Sequence, residues 1–148
     1  MLDFECKSLR KVPLFQHVDP KCLQLIAFAA NRVSFQPGET VFAAGSEADA
    51  MFIVVEGEVE SFTISPEGKE VSLSHFGPGR SFGDVAVLNE SDRFMTVKAV
   101  LPTMLLQISR SDFLELTQAI PQFALAVMRD LARRLTYMIK SHAAAPPI

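Results

Sequence analysis

Residues 80–98 concentrate the chemistry available to this chain. Gly83 is followed at once by Asp84, and Arg93 lies nine residues further on. Asp84-Val85-Ala86-Val87-Leu88 reads as a short helix. A glycine at its mouth lets the backbone turn tightly and leaves no side chain in front of a ligand. The first N–H groups of such a helix lack internal partners and, with the helix dipole, prefer an anion. Arg93 adds a fixed positive charge capable of charge-assisted hydrogen bonds. Asp84 adds an acceptor, and Ala86 allows close approach of the backbone. Phe82 is read as the end of a strand that plugs the core. A small phosphate ester with free sugar hydroxyls needs these three provisions together. The plainer alternative makes Asp84 a helix-start carboxylate with Arg93 as its surface partner.

The elements that must position these residues follow from the punctuation. All seven glycines fall between Gly38 and Gly83, so a turn-rich middle is flanked by glycine-free ends. The middle holds short apolar runs: Thr40-Val41-Phe42, Met51-Phe52-Ile53-Val54-Val55, residues 59–64, Val71-Ser72-Leu73, residues 96–100 and residues 104–108. Strands spaced about 8–12 residues apart with turns between them predict a β-sandwich or barrel. The flanks are helical. Asp19 is placed to cap a helix that starts at Pro20 and runs toward Asn31. Residues 11–15 read as a short turn packing on the roll. Ser109 or Ser111 caps a helix to Ile120, and Pro121 opens a last helix to about Lys140. On that helix Ala124, Met128, Leu131, Leu135 and Met138 recur at +4, +3, +4 and +3, with Arg129, Asp130, Arg133 and Arg134 read as facing the other way. The stripe fits either packing on the protein itself or a dimer seam.

Composition narrows the function classes. The chain has 148 residues, 49% hydrophobic and 21% charged, with net charge −3. One globular domain is expected. No basic run suggests non-specific nucleic-acid binding. The apolar stretch at residues 25–30 is far too short to cross a membrane, and the N-terminus carries Asp3, Glu5 and Lys7 rather than a signal-peptide core. Cys6 and Cys22 form neither a metal spacing nor a disulfide framework, which suits a reducing cytoplasm. His17, His75 and His142 are scattered rather than clustered, so a metal-binding cupin is not expected. Glu56, Glu58 and Glu60 alternate along a strand and read as a solvated acidic face rather than a calcium site. No nucleophile with a base stands out, so no enzyme is expected and no catalytic or metal-ligating residue is assigned.

At Pro37-Gly38-Glu39, Gly45, residues 54–59, Glu67-Gly68-Lys69-Glu70, the segment 79–97 and Leu131-Ala132-Arg133-Arg134-Leu135, the chain resembles the cyclic-nucleotide-binding domains of the catabolite-activator and protein-kinase-A-regulatory superfamily. The resemblance covers residues 9–140. It implies a mainly β fold with flanking helices: N-terminal helices at 9–31, an eight-stranded jelly roll at 32–108 containing a phosphate-binding cassette at 79–97, and C-terminal helices at 109–140. Residues 141–148 would form a loose tail. It implies ligand contacts from Phe82, Gly83, Asp84, Val85 and Ala86, the phosphate on Arg93, and the base packed near Leu73 under the last helix.

Three departures modify that expectation. The family usually has Glu where this chain has Asp84, so a water must extend the shorter side chain to a ribose. Small residues usually follow the arginine, whereas Phe94 and Met95 stand here, and Phe94 cannot donate to phosphate or guanine. On the last helix, Met138 and Ile139 stand where the catabolite activator reads adenine with hydroxyls, so only apolar cover is available. The resulting expectation is a cytoplasmic, non-enzymatic sensor for cyclic AMP, with cyclic GMP disfavoured and lowered affinity for both. An unknown protein partner and a homodimer through the last helix fit that role. The alternative is a degenerate module of the same fold, without useful nucleotide affinity, that serves docking or dimerisation. A DNA-reading helix-turn-helix is not expected, because too few residues follow Lys140.

Overall fold

The run Ala50-Met51-Phe52-Ile53-Val54 has no polar residue to mark a solvent face. In the computed structural model, which describes residues 3–141, this run lies in β3 (Ala50–Glu56) and both of its faces are covered. Ala50, Phe52 and Val54 join the cluster inside a roll; Met51 and Ile53 join the cluster beneath the helices. Alternation of side chains along a strand separates the two sets.

Eight strands make two four-stranded antiparallel sheets. One has the order β1 (Ala30–Phe35), β8 (Thr103–Ser109), β3 and β6 (Ser81–Phe82). The other has β2 (Thr40–Phe42), β7 (Thr96–Ala99), β4 (Val59–Ile64) and β5 (Glu70–Phe76). The fold is therefore mainly β with flanking helices, a β structure as the turn pattern predicts and the eight-stranded roll that the family resemblance implies. The helices α1 (Asp3–Arg10), α2 (Pro20–Ala29), α4 (Arg110–Ala119) and α5 (Pro121–Ser141), with a 3-10 turn at Pro13–Phe15, flank the roll. Phe15 stacks on Phe123 at 5.5 Å and Phe113 meets Phe123 edge-on at 5.9 Å, which joins the turn, α4 and α5. No helix among the described residues is long and apolar enough to cross a membrane.

Several boundaries differ from the reading of the sequence. The helix expected to reach Asn31 ends at Ala29, and the roll begins at Ala30 rather than residue 32. Ala30 pairs with Ile108 and Asn31 with Gln107, so the β8 ladder claims both residues. The Asp19 side chain makes no cap hydrogen bond; its N–H donates to Gln122 Oε1 at 3.2 Å instead. Ser109 does cap α4, accepting from the Asp112 N–H at 3.2 Å. The α1 helix was not anticipated. It is held by tertiary contacts: Leu9 is fully buried and Glu5 pairs with Arg32 of β1 at 2.9 Å. The expected tail lies outside the described residues except for its first member, as does His142.

On α5 the buried residues are Phe123 and Val127, and Leu131 packs against the same core. Met128, Leu135 and Met138 of the predicted stripe are 57–58% exposed. Packing on the protein itself thus accounts for only part of the stripe.

Gly57 turns the chain between β3 and β4 at φ 93°. A Cβ there would lie 2.5 Å from Thr103 Oγ1 and closer still to the Pro102 carbonyl. Left-handed strain alone costs a non-glycine residue about 1–2 kcal/mol. Gly57→Ala should therefore lower the melting temperature by several degrees, measured by calorimetry, because backbone rather than a mobile side chain blocks the methyl.

Candidate functional site

The cassette starts where β6 ends. Gly83 adopts φ 80°, ψ 0° and leads into α3 (Asp84–Asn89), which closes on Glu90 at φ 55°. A Cβ at Gly83 would meet Arg93 Nη1 at 3.0 Å and the Phe42 ring at 3.3 Å. The glycine thus provides both the turn and the space for the arginine. At six residues α3 carries little dipole of its own, so the positive potential rests on Arg93.

Arg93 points inward and is 3% exposed. Its backbone is fixed by the loop after β2: the Arg93 N–H donates to Ser46 O at 2.8 Å, and Gly45 N–H donates to Arg93 O at 2.7 Å. The guanidinium lies 3.9 Å above the Phe42 ring centroid. Nη1 donates to Gly83 O at 2.6 Å and Nη2 to the Ala50 carbonyl. Its one ion pair among the described residues is long, 3.9 Å to Oδ1 of Asp49, whose side chain is 76% exposed. Nε is buried with no hydrogen-bond partner. Burial lowers the Arg93 pKa, an effect opposed by the charges of Asp49 and Asp84.

Asp84 does not pair with Arg93, so the helix-start ion pair considered from sequence is not formed. Its carboxylate is 3% exposed and takes a two-pronged contact from Arg134, Nη1 to Oδ1 at 3.2 Å and Nη2 to Oδ2 at 2.6 Å. Helical periodicity places Arg134 on the face opposite the apolar stripe, and that face meets Asp84 here. Asp130, one turn earlier on α5, also holds the Arg134 Nε at 3.0 Å and Nη2 at 2.7 Å. Burial would lower the Arg134 pKa, but the hydrogen bonds and charges of Asp84 and Asp130 outweigh it and hold the guanidinium above its ordinary value.

These groups line a cleft together with Phe82, Val85, Ala86, Phe94 and Met95. Its volume is about 40 Å³, whereas small-molecule sites occupy about 300–1,000 Å³. Aromatic rings account for the narrowness. Phe82 packs against Phe52 at 5.4 Å, Phe76 at 5.5 Å and Phe42 at 6.1 Å. Phe94 stands at the mouth, 53% exposed. Leu73 and Met138, expected near the base, lie outside this cleft and are 53% and 58% exposed. Leu73 is the extra residue of a bulge on β5: Ser61 faces Ser74 and Phe62 faces Ser72, with Leu73 between. A bulge re-aims the side chains around it. Of the predicted residues, then, Phe82, Gly83, Asp84, Val85, Ala86, Arg93 and Phe94 are brought together, and Leu73 and Met138 are not. Phe42, Phe76 and Arg134 were missed as site residues.

His75 is about half exposed, as read from its strand, with Nδ1 2.8 Å from Glu58 and Nε2 3.1 Å from Glu60. Glu56, Glu58 and Glu60 do not share one strand face as expected: Glu56 ends β3, Gly57 turns the chain, and Glu60 lies on β4.

The profile of the cyclic nucleotide-binding domain matches residues 32–119, the roll through α4. The chain belongs to the cyclic nucleotide-binding domain family. Among curated relatives of this family member, the cyclic AMP receptor protein of Thermus thermophilus is 33% identical over 123 residues, covering 83% of this chain and 57% of the relative. Lysophospholipase nte1 of Aspergillus fumigatus is 31% identical over 82% of this chain and 8% of its own length. The chain therefore spans little more than half of one relative and a small part of the other. The crystal structure of the Thermus thermophilus catabolite activator protein superposes with a TM-score of 0.80 at 31% identity, covering 89% of this chain and 62% of that one.

Two features fit a cyclic nucleotide to this family member. The buried Nε of Arg93 has a hydrogen to donate, and the bare Gly83 lets the Arg93 guanidinium sit against the cassette backbone, with Nη1 3.0 Å from where a Cβ would stand. The cleft volume fits only if side chains or α5 move.

Proposed function

We propose that this chain is a non-enzymatic, cytoplasmic regulatory module that binds a cyclic nucleotide, cyclic AMP in preference to cyclic GMP. The observation that carries the reading is Arg93. A guanidinium at 3% exposure, with its nearest carboxylate oxygen at 3.9 Å, is a poorly compensated buried charge. Such a charge costs several kcal/mol in isolation, and a cyclic phosphodiester would supply the opposing charge. The preference for cyclic AMP is supported by Phe94 at the mouth, which has no group to donate to guanine. A ribose hydroxyl would compete with Arg134 for Asp84. Binding would therefore displace the Arg134 contact or share it, and α5 would settle over the base in a new position. The ligand shifts the helix only to the extent that it binds the rearranged state more tightly. The relation to a cyclic AMP receptor protein supports the same reading.

A second reading is favoured by the closed cleft. Asp84 has both oxygens engaged, and about 40 Å³ admits no nucleotide without rearrangement. On that reading the module is degenerate and works through the exposed stripe of α5, as a homodimer or with a protein partner. Thermal unfolding separates the two. Cyclic AMP at about 100 times its dissociation constant adds about 2.7 kcal/mol, a rise of roughly 5–10 °C for a domain of this size. Cyclic GMP and 5′-AMP should give smaller shifts. No shift at millimolar cyclic AMP would overturn the sensor reading in favour of the degenerate one.

A further inference from the structure

A cavity larger than the Asp84 cleft lies away from it. A groove of about 370 Å³ runs between the segment around the 3-10 turn and one side of α5. That volume falls in the range of about 300–1,000 Å³ typical of small-molecule sites. Its floor is apolar: Leu14 and Val18 are buried and Ala126 is partly buried. Its rim is basic, with Arg129, Arg133 and His17.

The two arginines are four residues apart on one helix, close enough for both to reach a single anion. Among the described residues neither takes part in an ion pair. Asp130, the acid between them in sequence, is committed to Arg134. No acidic residue is among the groove's lining residues. A further guanidinium braces the opposite wall: Arg10 Nη1 donates to the carbonyls of Phe15, Gln16 and Val18 at 3.1, 3.2 and 3.0 Å. In a chain of net charge −3, this is a local excess of cations over an apolar floor. A merely solvated helix face has no such floor.

We propose that the groove is a second ligand site, separate from the Asp84 cleft, for a small monocarboxylate with an apolar chain. The carboxylate lies between Arg129 and Arg133, and the chain lies on Leu14, Val18 and Ala126. Charge-assisted contacts set the selectivity for an anion, and burial of the chain supplies most of the affinity.

The test is an amide-resolved NMR titration of the full chain with sodium octanoate, with octylamine as the control of opposite charge. Saturable shifts are expected at amides of residues 14–18 and 122–133 with octanoate only. The pair Arg129→Glu and Arg133→Glu should weaken octanoate by about tenfold or more. The milder pair Arg129→Gln and Arg133→Gln should do so to a smaller degree with undisturbed spectral dispersion. Arg93→Ala should leave the titration unchanged, which separates this site from the nucleotide cleft. Equal shifts with octylamine, shifts confined to the exposed Met128 and Leu135 side of α5, or octanoate binding indifferent to both arginine pairs would each overturn the proposal.

Discussion

Arg93→Ala is expected to abolish the thermal stabilisation by cyclic AMP while leaving a folded protein. Two effects act on the fold in opposite directions. The substitution removes hydrogen bonds to the Gly83 and Ala50 carbonyls and the stacking on Phe42. It also removes a charge at 3% exposure whose nearest carboxylate oxygen is 3.9 Å away. Relief of that desolvation offsets part of the lost bonding. Nothing offsets the loss on the ligand side, where the phosphodiester would face a site without its cation. Truncating one partner of a buried charge pair costs about 2–5 kcal/mol of binding, or roughly 30-fold to several thousand-fold in affinity. Isothermal calorimetry with cyclic AMP on both proteins measures this. Equal affinity in the variant would remove Arg93 from the site. Arg93→Lys should retain only part of the affinity, because an ammonium keeps the charge but not the planar fork.

Arg134→Met should be strongly destabilising for a charged position on α5. Asp84 would be left as a buried carboxylate, 3% exposed, with no ion-pair partner among the described residues. Breaking one side of a buried pair costs about 3–5 kcal/mol, and the 22% exposure of Arg134 places the expectation at the lower end. Asp84→Asn in the same background should recover much of the loss, since the uncompensated charge then disappears. A double-mutant cycle by urea denaturation measures the coupling. Additive effects of the two substitutions would show that the contact between α5 and α3 is incidental. In the sensor reading, Arg134→Met also frees the Asp84 acceptor, so cyclic AMP should stabilise this variant by more degrees than the parent.

The β-roll was legible because its signals are local. Glycines at Gly38, Gly45, Gly57, Gly68 and Gly79 take positive φ, a conformation other residues avoid, so turns are written in residue type. Ser109 and Pro121 likewise announce α4 and α5 by residue type, the first as a cap and the second as an opening proline. The helix α1 was not legible, because its eight residues hold their shape through Glu5, Leu9 and their distant partners. The boundary at Ala30 was misplaced for a similar reason: a helical apolar pattern runs on until pairing with β8 stops it.

The candidate site divides along the same line. Gly83, Asp84 and Arg93 are close in sequence, and their types alone mark an anion-binding turn. That much the chain states by itself, together with membership of a β-roll family. Which groups complete the site depends on contacts between residues far apart in sequence. Arg134 lies 50 residues from Asp84, and a helical wheel places it among solvated charges, because periodicity says nothing about what lies across from a helix. Phe42 and Phe76 read as ordinary strand residues until the two sheets face each other. Only the tertiary structure decided that the acceptor is held by α5, that aromatic rings narrow the cleft, and that Leu73 lies outside it. Sequence determines local backbone preference, whereas burial and charge pairing are properties of the assembled fold.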